Sequence, residues 1–180
     1  MMKNVERSRS AALALVAALA AGPAAAVDGI SLIGGTGDDA RMGAIGLVWN
    51  WDKQWFKTGD WSLGGYWEAD VSYWKGDDPG GNSIGGVGLT PVFRFGADTG
   101  GVAPYVEAGI GVHLFSSVRL NDTKKMGTAF EFGDHVGFGF RFGEGLKYDL
   151  GYRFQHYSNA GISENNGGVN FHQLRLKYGF

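Results

Sequence analysis

Two side chains capable of acyl chemistry stand two residues apart near the C-terminus. They are His156 and Ser158, within Arg153-Phe154-Gln155-His156-Tyr157-Ser158-Asn159-Ala160-Gly161. On an extended segment, residues i and i+2 project from the same face. An imidazole so placed can take the proton of the neighbouring hydroxyl and turn serine into a nucleophile toward an ester carbonyl. Both residue types are also ordinary interfacial polar groups, so the pair alone is a weak signal. The face it occupies carries more weight. Tyr148, Leu150, Tyr152 and Phe154 precede it on one side of the alternation, and Lys147, Asp149, Arg153 and Gln155 on the other. The pair continues the apolar side, so its chemistry lies wherever that side points.

The elements that must position the pair repeat the same pattern. Eight alternating segments can be marked: Gly29–Gly35, Met42–Trp51, Trp61–Lys75, Ser83–Phe95, Ala103–Leu114, Thr128–Phe142, the stretch from Lys147 through Ser158, and Asn170–Phe180. Asp52–Asp60 reads as polar and turn-like. Gly76–Asn82 and Gly143-Glu144-Gly145 are turn clusters. In the third segment Leu63, Trp67, Ala69, Val71 and Tyr73 oppose Tyr66, Glu68, Asp70 and Ser72. Period-two alternation with aromatics on one face and charges on the other predicts an all-β fold: an eight-stranded antiparallel transmembrane β-barrel of the outer-membrane type. At that size side chains fill the interior. Glu68, Asp70, Glu107 and Asp149 then neutralise Arg94, Arg141, Arg153, Arg175 and Lys177 inside, and inward glycines leave room for the long side chains. A soluble β-sandwich would need the aromatic face as its core and the charged face in water.

Composition agrees. Of 180 residues 32 are glycine and none is cysteine, which excludes a disulfide framework and thiol chemistry. Lys3, Arg7 and Arg9, the apolar run Ala11–Ala21 and the small residues Ala24-Ala25-Ala26 predict a signal peptide over 1–26, leaving 27–180 as the barrel domain. Without Lys3, Arg7, Arg9 and Glu6, 13 basic residues remain against 17 acidic, near −4, which gives nucleic-acid binding no support. With both termini periplasmic, the seventh and eighth segments meet at the outer rim. His156, Ser158 and Asn170 fall there, in register with the lipid-facing residues.

The string from Arg153 to Gly161, with Asn166 and Gly167-Gly168 downstream, resembles the signature of the lipid A 3-O-deacylases, the PagL family. The resemblance is concentrated in the last 30 residues or so, with barrel pattern and signal peptide agreeing over the rest. It implies an outer-membrane esterase that hydrolyses the acyl ester at position 3 of lipid A, without metal or organic cofactor. Ser158 would be the nucleophile and His156 its base, with Asn166 and Asn159 near the oxyanion. The family pattern has glutamate fourteen residues after the histidine, where this chain has Asn170. The third catalytic member is therefore Asn170 or, as the nearest carboxylate, Glu164. Asn159 and Asn166 are equally well read as turn formers. Arg119, Lys124 and Lys125 are most simply solvated loop cations. The functional alternative is contact with the phosphates of lipid A. A non-catalytic small outer-membrane barrel of adhesin or structural type is the competing reading, and acyl transfer to lipid A a lesser one. The sequence leaves the oligomeric state, including a homodimer, undecided.

Overall fold

The computed structural model describes residues 26–77, 80–164 and 167–180. The expected signal peptide lies, but for Ala26, outside the described residues. Among the described residues nine strands form: β1 (Gly29–Gly37), β2 (Ala40–Asn50), β3 (Trp55–Thr58), β4 (Trp61–Gly76), β5 (Ser83–Ala97), β6 (Val102–Phe115), β7 (Phe130–Phe142), β8 (Tyr148–Ser158) and β9 (Val169–Gly179). All their pairings are antiparallel, and each long strand pairs with its two neighbours. Pairing of β1 with β9 and of β2 with β4 closes the sheet into an eight-stranded barrel. Closure leaves no exposed sheet edge, which a bilayer demands. The ninth strand, β3, is a short hairpin arm on the end of β4. The sequence reading takes that segment as a turn. Its exposed Phe56 and Lys57 carry no alternation to mark it.

Side chains divide cleanly by parity. On the outside Ile110, Val136 and Leu174 are 65%, 62% and 64% exposed, a level of apolar exposure that only lipid makes favourable. Near the chain termini, Phe142, Tyr148, Tyr178 and Phe180 follow one another at ring spacings of 5.5, 5.3 and 6.1 Å, forming part of an aromatic girdle. The start of β1 and the end of β9 sit here, where the Phe180 N–H donates to the Asp28 carbonyl. The loop 116–129 and the described residues between β8 and β9, 159–164 and 167–168, lie at the opposite end.

The interior has two layers. In the middle, three carboxylates and three guanidinium groups are interlocked. Glu68 meets Arg153 and Arg175 at 2.7 and 2.8 Å. Glu107 meets Arg94 and Arg153 at 2.7 Å each, and Asp149 meets Arg94 at 2.8 Å. Tyr66 donates to Glu107, Tyr105 to Asp149 and Ser31 to Glu68. Each charge of this layer is thus paired and hydrogen-bonded, the condition under which burial is tolerable. Gly137 shows why glycine faces inward: a Cβ there would approach Arg153 Cγ to 3.1 Å. Three expected members stand outside this knot. Arg141 reaches Asp98 at 3.3 Å, Lys177 donates to Asn50, and Asp70 faces His113 at 3.9 Å.

Above the ionic layer, toward the long loops, lies an apolar plug. It contains Trp74, Ile84, Phe115, Tyr157, Val169 and Phe171, and the loop residues Leu120 and Met126 tuck into it. Trp74 packs against Phe115, Tyr157 and Phe171 at ring distances of 4.3, 4.7 and 4.9 Å. The loop 116–129 is therefore anchored from inside the barrel.

Candidate active site

His156 and Ser158 lie on β8 with the odd residue Tyr157 between them, buried in the plug. Asn170 lies on β9, flanked by the buried Val169 and Phe171. The inward side chains thus fix the backbone of both strands, while the even residues His156, Ser158 and Asn170 are half-buried on the outer wall. All three share the parity of the exposed Phe154 and Leu174 on their own strands.

Register makes His156 and Asn170 direct cross-strand partners. Their side chains meet, with His156 Nδ1 2.7 Å from Asn170 Oδ1. A carboxamide oxygen can only accept, so this contact places the ring proton on Nδ1 and leaves Nε2 as the free base. Glu164 is exposed in the loop and is not bonded to His156, so the structure brings Asn170, rather than Glu164, to the imidazole. Ser158 makes no hydrogen bond with His156 in the free protein among the described residues. Such bonds commonly tighten only once substrate is bound.

Gly168, at φ 51°, closes over the ring from the loop side. A Cβ there would stand 2.7 Å from His156 Cε1 and 3.5 Å from Nε2. This is the structural reason for glycine at the end of the Gly167-Gly168 pair. Asn159 has no exposed surface, and its Oδ1 accepts the Gly161 N–H across the turn that follows β8. Asn166 lies outside the described residues. Of the loop cations, Arg119 pairs with Asp122 at 2.6 Å and Lys124 with Asp38 at 3.2 Å, while Lys125 is exposed and joins no ion pair among the described residues.

Two residues that the sequence reading passes over border the imidazole's surroundings. Asp134 of β7 is directly cross-strand from His156, on the outer face between Phe132 and Val136. It forms no ion pair with His156 among the described residues. A carboxylate interrupting an apolar row was a visible signal. Asp38, in the β1–β2 turn, receives hydrogen bonds from the backbone and side-chain nitrogens of Asn170, at 2.7 and 3.2 Å. No local pattern could have found that contact.

Comparisons with known proteins bear on the family of the chain. The family model described as lipid A 3-O-deacylase (PagL) matches residues 40–179. The chain is 36% identical over 167 residues to the lipid A deacylase PagL of Pseudomonas aeruginosa, covering 93% of this chain and 94% of that protein. It is 41% identical over 128 residues to the lipid A deacylase PagL of Bordetella bronchiseptica, covering 66% and 67%. The crystal structure of the outer membrane enzyme PagL superposes with a TM-score of 0.75 at 34% identity, over 83% of this chain and 98% of that one. The wall-mounted histidine, the closed barrel and these matches have one reading: the chain is an outer-membrane β-barrel and belongs to the lipid A 3-O-deacylase (PagL) family.

Proposed function

We propose that this enzyme removes the 3-O-linked acyl chain of lipid A, acting from the outer wall of the barrel with Ser158 as nucleophile and His156 as general base. The observation that carries this reading is the His156–Asn170 contact of 2.7 Å on the lipid-facing rim, two residues from Ser158. Lipid A stands in the leaflet beside that wall, so its ester reaches the site without entering the filled interior.

The steps follow from the protonation the contact imposes. Asn170 Oδ1 holds the Nδ1 proton, and Nε2 takes the proton of the Ser158 hydroxyl as Oγ attacks the ester carbonyl carbon. The tetrahedral oxyanion needs an N–H donor, the role assigned to Asn166. Collapse expels the position-3 oxygen of lipid A, which takes the proton from His156, and leaves an acyl group on Ser158. Water then gives a proton to His156 and attacks the acyl carbon; collapse breaks the bond to Ser158 Oγ, which takes that proton back from His156 as the fatty acid leaves. Asn170 supplies orientation but no charge to offset the imidazolium. Of the three loop cations, Lys125 is the one without an ion-pair partner among the described residues, and its charge is the one offered to a lipid A phosphate.

The test is mass spectrometry of lipid A from cells expressing the full chain. Loss of one 3-linked acyl chain, abolished by Ser158→Ala in a variant that still folds, is the expected result. Deacylation undiminished in Ser158→Ala would rule the mechanism out.

A further inference from the structure

Asn170 carries a weakness that a carboxylate lacks, because its amide can face the imidazole in either of two orientations. With Oδ1 toward Nδ1, the ring is protonated on Nδ1 and Nε2 is a base. With the NH2 group toward it, Nδ1 must become the acceptor, and the proton moves to Nε2. A histidine in that tautomer cannot take the serine proton, a fault that costs about 10⁴ in rate where an amide replaces the acid of a serine-protease triad. Something must hold the amide in the first orientation.

Resting on the Ser158–His156 reading above, we infer that Asp38 is the positioning residue that locks Asn170 with its oxygen toward His156. Asp38 Oδ2 accepts the Asn170 backbone N–H at 2.7 Å and its Nδ2–H at 3.2 Å. A carboxylate accepts only, so the NH2 end is drawn to Asp38 and the oxygen end is left for His156.

The turn is built to hold that carboxylate in place. Asp38 and Asp39 both have positive φ, 49° and 53°, in the two-residue turn between β1 and β2. Such turns favour Asn-Gly or Asp-Gly, and two non-glycine residues there are strained. Three neighbours hold the arrangement. Asn121 Nδ2 donates to the Asp38 and Asp39 carbonyls at 3.0 and 3.3 Å, and Lys124 Nζ reaches Asp38 Oδ1 at 3.2 Å. Gly37 leaves no gap before β9: a Cβ there would lie 2.1 Å from the Asn170 carbonyl oxygen. Asp38, Asn170 and His156 form one line across β1, β9 and β8, with Lys124 behind.

The experiment uses the full chain, folded in detergent and assayed for kcat and KM on lipopolysaccharide. Asp38→Ala is expected to lower kcat roughly ten- to a hundredfold with KM within about twofold, and Asp38→Asn, which keeps the turn preference, less. Asp39→Asn, at the neighbouring turn position, is expected to match wild type. The decisive arm is the Asn170→Glu background. A glutamate cannot present a wrong end, and its charge opposes that of Asp38, so removing Asp38 there should raise activity. Asp38→Asn/Asn170→Glu should therefore exceed Asn170→Glu alone, reversing the sign seen in the wild-type background. A merely structural Asp38 lowers activity in both backgrounds, and that result overturns the inference. So do Asp38 variants within twofold of wild type. If Asp38→Ala fails to fold, the Asp38→Asn pair decides. Activity surviving in Ser158→Ala sinks the underlying serine reading, whereas loss there with silent Asp38 variants sinks only the role of Asp38.

Discussion

Gly168→Ala separates the geometry of the imidazole from the stability of the barrel. At φ 51° an added Cβ would stand 2.7 Å from His156 Cε1, where ordinary contact begins near 3.4 Å, a shortfall of 0.7 Å (3.4 − 2.7). The ring cannot yield freely, because its Nδ1 is tied to Asn170 at 2.7 Å. Either the loop lifts or the ring tilts, and both move Nε2 relative to Ser158. Misplacement by about 1 Å costs on the order of 10²-fold in rate, so a tenfold to hundredfold fall in kcat is expected. The left-handed backbone adds about 1–2 kcal/mol of strain. Gly161→Ala supplies the control for that strain, with φ 83° and nothing within 4 Å of the added carbon. The assay is kcat on lipopolysaccharide for both variants, beside the temperature at which each loses its heat-modifiable folded band. Equal rates for the two variants, or a Gly168→Ala enzyme within twofold of wild type, would refute the argument that the glycine exists to clear the imidazole.

Other expectations follow from the network and the loop. Arg153→Met leaves the Glu68 and Glu107 carboxylates, each 2.7 Å from the guanidinium, without that partner, and should cost about 3–5 kcal/mol in urea unfolding from lipid. A loss under about 1 kcal/mol would make the ionic layer no more than a set of surface-like pairs. Lys125→Ala should weaken activity on phosphorylated lipid A about fivefold while sparing a small neutral ester, since one cation near an anionic lipid surface is worth about 1 kcal/mol. Lys124→Ala, which loosens Asp38, should instead lower both activities alike; an effect confined to the phosphorylated substrate would detach Lys124 from the catalytic line.

Much of this was legible in the chain because a small barrel writes its two environments on alternate residues. Lipid on one side and a filled, charged interior on the other make the period-two pattern of β4 or β6 unambiguous, and the turn clusters fix the strand count. The shared face of His156, Ser158 and Asn170 was legible for the same reason, as all three are even residues continuing the apolar rows of β8 and β9. What failed to show was whatever barrel closure creates. Asp38 and Asn170 lie 132 residues apart and meet only because β1 pairs with β9. Leu120 and Met126, read as part of a polar loop, are buried because the barrel mouth offers them an aromatic plug. Asn159 reads equally as turn former or oxyanion donor in the sequence, and only the folded turn after β8 shows its oxygen taking the Gly161 N–H.

The central claim is that Ser158 on the outer wall is a nucleophile activated by His156. Incubating the folded enzyme in lipid vesicles with a long-chain alkyl fluorophosphonate, followed by peptide mass spectrometry, tests it directly. A single phosphonyl adduct on the peptide bearing Ser158, with labelling lost in His156→Ala and inhibition matching the labelled fraction, is the predicted result. Full labelling of folded His156→Ala, or inactivation with the adduct on any other residue, would contradict it.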